Sequence, residues 1–292
     1  MGKAGRGVKR TLLGLFVGVL LVAVPALAFQ PSTKYATDPR SLGLTFTDVS
    51  FRSTRDSVTL HGWWFAGRDT TPIVVVSPSE NGNMADKLGS VLEWVRRGFS
   101  VLAFDLRDTG PASGGDADSL REVIFSSRWV NDLEGALHFA RDQSKGRPVV
   151  AWGQDMGGAL AFSAAGRMRG NADAIAIEGL FRTSQDQLMW IGLSQDPGVV
   201  VRHRILVSPP DEPVSMAGRM RTPVFAVVAG KDDVTPPAVT QQILARVPAP
   251  HETWLVPDGV HEHLERTPGY YDKVADGISR ALARERSRWR PQ

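Results

Sequence analysis

Gly153-Gln154-Asp155-Met156-Gly157-Gly158 stands between an apolar run, Pro148-Val149-Val150-Ala151-Trp152, and a helical pattern over residues 159–168. The apolar run has the length and β-branched content of a buried strand. A strand, a tight turn of small residues around one reactive side chain, and then a helix is the layout of a nucleophile elbow. The usual form of that turn, G-x-S-x-G, carries serine at its centre. Here the central residue is Asp155.

Outward from this turn, the same alternation repeats. Residues 44–53 and 57–65 alternate like two antiparallel strands around a turn at Arg55-Asp56. Residues 73–77, 101–105, 149–152, 174–178, 224–229 and 253–256 are short continuous apolar runs, as expected of strands covered on both faces of a parallel sheet. Amphipathic stretches over 85–97, 130–141, 159–169, 237–247 and 270–284 separate them. The pattern predicts an α/β fold: a mostly parallel sheet of about eight strands, flanked by helices, in one domain over residues 42–292.

The chain begins differently. Lys3, Arg6, Lys9 and Arg10 precede residues 11–29, which carry no charge and are rich in Leu and Val. A basic head before an apolar run is an export signal. Ala26-Leu27-Ala28 offers a small-x-small cleavage site behind Pro25, yet the run has about the 20 residues needed to span a bilayer. The expectation is a single N-terminal membrane anchor with the domain outside. The alternative is a secreted or periplasmic product after cleavage near Ala28. Residues 30–41 read as a polar linker.

Charge and composition narrow the function. Of 34 basic residues, four lie in the basic head, and the remainder carries 30 against 31 acidic, a net of −1. Such a balance gives no reason to expect nucleic acid. The chain has no cysteine, which excludes disulfides, thiol nucleophiles and lipidated cysteine. His261 and His263 could contribute to a metal site, but no further histidine follows a strand in a matching place. No metal or cofactor is expected.

In a parallel sheet, functional groups gather beyond the carboxyl ends of the strands. Asp155 follows one such end. Gly230-Lys231-Asp232-Asp233-Val234-Thr235-Pro236 follows another, and Pro257-Asp258-Gly259-Val260-His261-Glu262-His263 follows the last. Nucleophile, acid, histidine is the chain order of the α/β-hydrolases. With these residues in place, the chain resembles an α/β-hydrolase of the compact BEM46-like branch over nearly the whole domain. Phe104-Asp105-Leu106-Arg107, with Thr109-Gly110 and Ser113-Gly114, resembles that branch's D-x-R-G-x-G-x-S-x-G segment. Ile177-Glu178-Gly179-Leu180-Phe181-Arg182-Thr183-Ser184 resembles its stretch after the sixth strand, and Thr222-Pro223-Val224-Phe225 its strand before the acid.

The resemblance implies roles. The family's acid lies four residues before a proline, which selects Asp232 over Asp233; its histidine follows a Gly-x pair, which selects His261 over His263. His261 would be the general base and Asp232 its orienting partner. The oxyanion donors would be the backbone N–H groups of Ser79 and Met156. Three positions depart from the pattern: Asp155 for serine, Ser77-Pro78-Ser79 for the usual His-Gly, and Asp108 for glycine. An elbow aspartate is the nucleophile of haloalkane dehalogenases and epoxide hydrolases, where it attacks an sp³ carbon. Dehalogenases follow it with a halide-binding Trp, and this chain has Met156. Epoxide hydrolases use cap tyrosines, and the three tyrosines here, Tyr35, Tyr270 and Tyr271, lie outside the segment 180–221 where a cap would be inserted. That segment has room for a short lid, with Met189 and Trp190 as lining candidates. The expected function is a hydrolase using Asp155, His261 and Asp232 on a small organic molecule. The alternative is a catalytically silent binding or scaffold protein of the cell envelope.

Overall fold

A computed structural model of the chain describes residues 34–79, 82–107, 109–111, 125–187, 210–261 and 263–288. The expected membrane segment, the lid candidates Met189 and Trp190, Asp108 and Glu262 lie outside the described residues. Among the described residues, no helix is long and apolar enough to cross a membrane.

Eight strands form one sheet: β1 (Thr47–Arg52), β2 (Thr59–Phe65), β3 (Ile73–Val76), β4 (Ser100–Phe104), β5 (Val149–Gln154), β6 (Ala174–Glu178), β7 (Val224–Ala229) and β8 (His251–Val256). They lie in the order β1-β2-β4-β3-β5-β6-β7-β8. β1 pairs antiparallel with β2 and β2 with β4; the remaining pairings are parallel. The expectation of about eight mostly parallel strands is met. In register, Val76 opposes Trp152, Gln154 opposes Glu178, and Ala229 opposes Val256. The carboxyl ends of β3, β5, β6, β7 and β8 therefore share one edge, and the loops that follow them meet there.

Alternation along the strands splits the core in two. Ile73, Val75, Val149, Ala151, Ile175 and Ile177 face α2 (Ser127–Asp142), α3 (Met156–Arg167), α4 (Pro213–Met216) and α5 (Pro237–Leu244). Val74, Val76, Val150, Trp152, Ala174 and Ala176 face α1 (Leu88–Arg96) and α6 (Tyr270–Arg288). Residues 73–76 are buried on both faces, which is why they read as continuous apolar runs.

The structure revises three expectations. The apolar run at 253–256 predicts a strand covered on both faces, but β8 lies at one edge of the sheet, and its residues alternate between exposed and half-buried. The helix expected over 85–97 starts with a tighter 3-10 turn, Met84–Lys87. Asn83 and Asp86 cap that turn reciprocally, and Asp105 Oδ1 accepts the Met84 N–H at 2.8 Å. From Tyr35 the expected linker packs on the domain: its ring lies 4.7 Å from that of Trp63, and its hydroxyl donates to Asp105 Oδ2 at 2.7 Å.

Asp105, Arg107 and Gly110 form a buried clamp. Arg107 is paired with Asp132 at 2.6 Å and with Asp56 at 2.5 Å, and its Nη2 also donates to Ser53 Oγ at 3.0 Å. It ties the β1–β2 turn to α2. Gly110 has φ 71°, and a Cβ there would fall 1.8 Å from Asp105 Oδ2, so only glycine fits beside that carboxylate.

Candidate active site

Asp155 sits at the turn between β5 and α3 with φ 50° and ψ −120°. A non-glycine residue held there costs about 1–3 kcal/mol and persists only where its surroundings over-determine it. Those surroundings are visible. The Asp155 N–H donates to the Glu178 carbonyl at 3.1 Å, and its own carbonyl accepts the Ala159 N–H at 2.9 Å. The turn is thus held to β6 on one side and to the first turn of α3 on the other. The flanking glycines are packing requirements. A Cβ on Gly153 would fall 2.3 Å from the Gly157 carbonyl oxygen, and one on Gly157 would meet the carbonyl oxygens of Pro78 and Ser77 at 2.8 and 2.9 Å. The Asp155 side chain is left 40% exposed, projecting from a rigid base.

Asp232 is buried beyond β7 and closes an Asx-type turn. Its Oδ1 accepts the N–H groups of Val234 and Thr235 at 2.9 and 2.7 Å, and its Oδ2 accepts the Thr235 hydroxyl at 2.7 Å. Burial pushes the carboxyl upward. The hydrogen bond and charge of His261 and the Thr235 donors outweigh it, and Asp232 lies below the ordinary aspartate value.

His261 comes from the loop after β8, which is sewn to the acid loop: the Gly230 N–H donates to the Val256 carbonyl and the Lys231 N–H to the Gly259 carbonyl, each at 2.8 Å. Its Nδ1 lies 3.1 Å from Asp232 Oδ2, and its Nε2 lies 3.4 Å from Asp155 Oδ1. One imidazole nitrogen faces each carboxylate. In the tautomer with hydrogen on Nδ1, Asp232 accepts it and the Nε2 lone pair faces Asp155.

The structure brings Asp155, His261 and Asp232 together. His263 is elsewhere: it has φ 70°, its side chain is half exposed, and its Nδ1 lies 3.5 Å from Glu265. Met156 is buried as the first residue of α3, where a backbone N–H has no partner within the helix. Ser79 is half-buried in the loop after β3. That loop turns the Ser77 and Pro78 carbonyls toward Gly157, and Pro78 has no N–H to offer.

Sequence reasoning passed over Thr235, whose side chain and N–H hold the Asp232 carboxylate. It also passed over Glu178, the last residue of β6, 4% exposed and hydrogen-bonded to Gln154 and Tyr270. The signal for Glu178 was present: a carboxylate ending an apolar run in the middle of a sheet is rarely left without a partner.

Comparison with known proteins agrees with the fold. The family described as "Serine aminopeptidase, S33" matches residues 81–191, less than half of the chain. A polyketide transferase of Stachybotrys chlorohalonatus is 30% identical over 136 residues, which span 46% of this chain and 44% of that protein. This match therefore covers under half of the relative's length. An uncharacterised membrane protein of Saccharomyces cerevisiae is 22% identical over 252 residues, 85% of this chain and 84% of that one. Among solved structures, an esterase of Pyrococcus furiosus superposes with a TM-score of 0.66 at 17% identity, over 86% of this chain and all but 1% of the esterase. A Penicillium α/β-hydrolase superposes with a TM-score of 0.62 at 18% identity, over 82% of this chain and 100% of that one.

Proposed function

We propose that this chain, an α/β-hydrolase by fold, is a hydrolase whose nucleophile is Asp155, assisted by His261 and Asp232, and that it belongs to the compact BEM46-like branch. The observation that carries the reading is the single imidazole held between two carboxylates, one on a strained and exposed turn and the other buried and locked. Names among the similar proteins, esterase and polyketide transferase, support an enzyme of hydrolase-like chemistry.

The chemistry follows from the residue types. An Asp155 oxygen attacks a carbon electrophile, the C–X or strained C–O bond breaks with its electrons on the leaving group, and an alkyl ester of Asp155 forms. A water then gives its proton to His261 Nε2 and attacks the ester carbonyl, releasing the alcohol and restoring the carboxylate. Asp232 holds the Nδ1–H and stabilises the imidazolium. The backbone N–H groups of Met156 and Ser79 are the candidate donors for the oxyanion of that second step. An ordinary ester is a poor substrate here, because attack by a carboxylate gives an anhydride.

The test is mass spectrometry after incubation with alkyl halides, epoxides and activated esters, comparing the wild type with His261→Gln. Blocking the water step traps the alkyl group, so the variant retains a mass increment on the peptide containing Asp155. Absence of any increment across the panel overturns the hydrolase reading.

The 77–79 loop favours a second reading, a silent binding protein of the envelope. Pro78 in that loop has no N–H to donate, and this reading predicts that no adduct forms. For location, we propose that residues 11–29 are retained as a membrane anchor, supported by their length and lack of charge.

A further inference from the structure

The Glu178 carboxyl lies behind the elbow and has no part in the reaction described above. Its backbone carbonyl accepts the Asp155 N–H, and alternation along β6 turns its side chain toward α6. Tyr270 donates its hydroxyl to Oε1, and Gln154 Nε2 donates to Oε2 at 3.1 Å. The Trp152 indole N–H donates in turn to the Tyr270 oxygen at 3.3 Å. Lys87 Nζ donates to Gln154 Oε1 at 3.2 Å, which fixes the way that amide faces, and Gln154 Nε2 also reaches Glu265 Oε2 at 3.5 Å.

Among the described residues, the charged and titratable groups facing this carboxyl come from the elbow, the turns before α1 and α6, and α6 itself. Asp155 approaches from the elbow, Glu265 from the turn before α6, Lys87 from the turn before α1, and Tyr270 and Tyr271 from α6. Burial disfavours its ionisation first, the two carboxylates add to that, and Gln154 and Lys87 offset only part. The carboxyl is pushed up to about 8. A cavity of about 530 Å³, lined in part by Lys87, Gln154, Glu265 and Tyr270, brings solvent to this side of the network.

We propose that Glu178 is a positioning residue that keeps its proton in the working site, leaving Asp155 the charged carboxylate at this strand end. Above its titration, Glu178 loses the proton to solvent, and a second buried negative charge then repels Asp155 from the elbow geometry that faces His261. The inference rests on the reading of Asp155 as a site group, not on the identity of the substrate.

The test is a carboxyl ¹³C NMR titration of the full-length protein. Glu178 is expected to titrate near pH 8. In Asp155→Asn its midpoint falls by about 1 pH unit, because a like charge is removed, and in Lys87→Met it rises, because an opposite charge is removed. His261 resonances inflect at the Glu178 midpoint in the wild type and lose that inflection in Glu178→Gln, which keeps the shape of the protonated acid. A Glu178 midpoint in the ordinary glutamate range overturns the proposal, and so does a midpoint that neither substitution moves. These outcomes are independent of the adduct experiment: a panel without adducts and a Glu178 midpoint near pH 8 that both substitutions move would remove the hydrolase and leave the proton holder.

Discussion

Asp155 stands in a backbone conformation that side chains avoid, and its neighbours supply what holds it there: a hydrogen bond to β6, the first turn of α3, and glycines where a methyl group would strike backbone oxygen. Its charge should be felt by His261. In Asp155→Asn, which removes a charge at nearly constant shape, the NMR titration of His261 moves to lower pH; an unmoved titration would mean that the two side chains do not meet in solution. In Asp155→Ser the usual elbow returns. Turnover of short p-nitrophenyl esters, negligible in the wild type, becomes measurable if Ser79 and Met156 supply the oxyanion donors. Serine-type turnover already present in the wild type and abolished by a serine-directed inhibitor would place the nucleophile elsewhere.

Elements are fixed relative to one another by a few buried contacts, and these predict where stability is concentrated. Arg107 and Asp132 are 3% and 0% exposed, and Arg107 also holds Asp56 of the β1–β2 turn. Replacing Arg107 with Met leaves an uncompensated buried carboxylate, so the domain should lose about 3–5 kcal/mol in urea unfolding. A loss below about 1 kcal/mol would mean that the clamp is solvated. The contact between α3 and the loop after β3 is similarly tight. In Gly157→Ala the new Cβ meets the Pro78 and Ser77 carbonyl oxygens at 2.8 and 2.9 Å. Backbone must move, at a cost of about 1–3 kcal/mol, and amide shifts of Ser77 and Ser79 should report the displaced loop.

Across the whole molecule, two carboxyls give the stability profile opposite slopes. Asp232 is held below its ordinary value of 3.8, so its contribution is present above about pH 4 and is lost as pH falls through its folded value. Glu178 moves the other way, from 4.5 to about 8. Between those values the unfolded chain has released the proton and the folded chain has not, so stability falls as pH rises, by at most about 1.4 kcal/mol per pH unit. The wild-type Tm is expected to decline from pH 5 to 8, and Glu178→Gln to flatten that decline; equal slopes in both proteins would contradict the assignment. For the complete chain, fractionation should find the intact protein with membranes. A soluble product starting at Phe29 would instead establish cleavage.

The sequence by itself determined the architecture. Runs such as 174–178 and 224–229 matched β6 and β7 residue for residue, because strands covered on both faces are apolar at nearly every position. It also indicated which loops would meet at one sheet edge, since Asp155, Asp232 and His261 each follow a strand in a parallel sheet. Only the tertiary structure decided which face each side chain takes and what it meets. β8 read as covered and is an edge, because apolar composition does not say which strand has a neighbour. Asp105 and Arg107 read as part of a family segment and turned out to hold the 3-10 turn, the N-terminal segment and the β1–β2 turn. Glu178 carried only the local signal of a carboxylate ending an apolar run, and Thr235 carried little. Their partners, Tyr270 at 92 residues' separation and His261 at 26, are brought close by folding, and the field at a buried carboxyl is set by such neighbours rather than by its own stretch of chain.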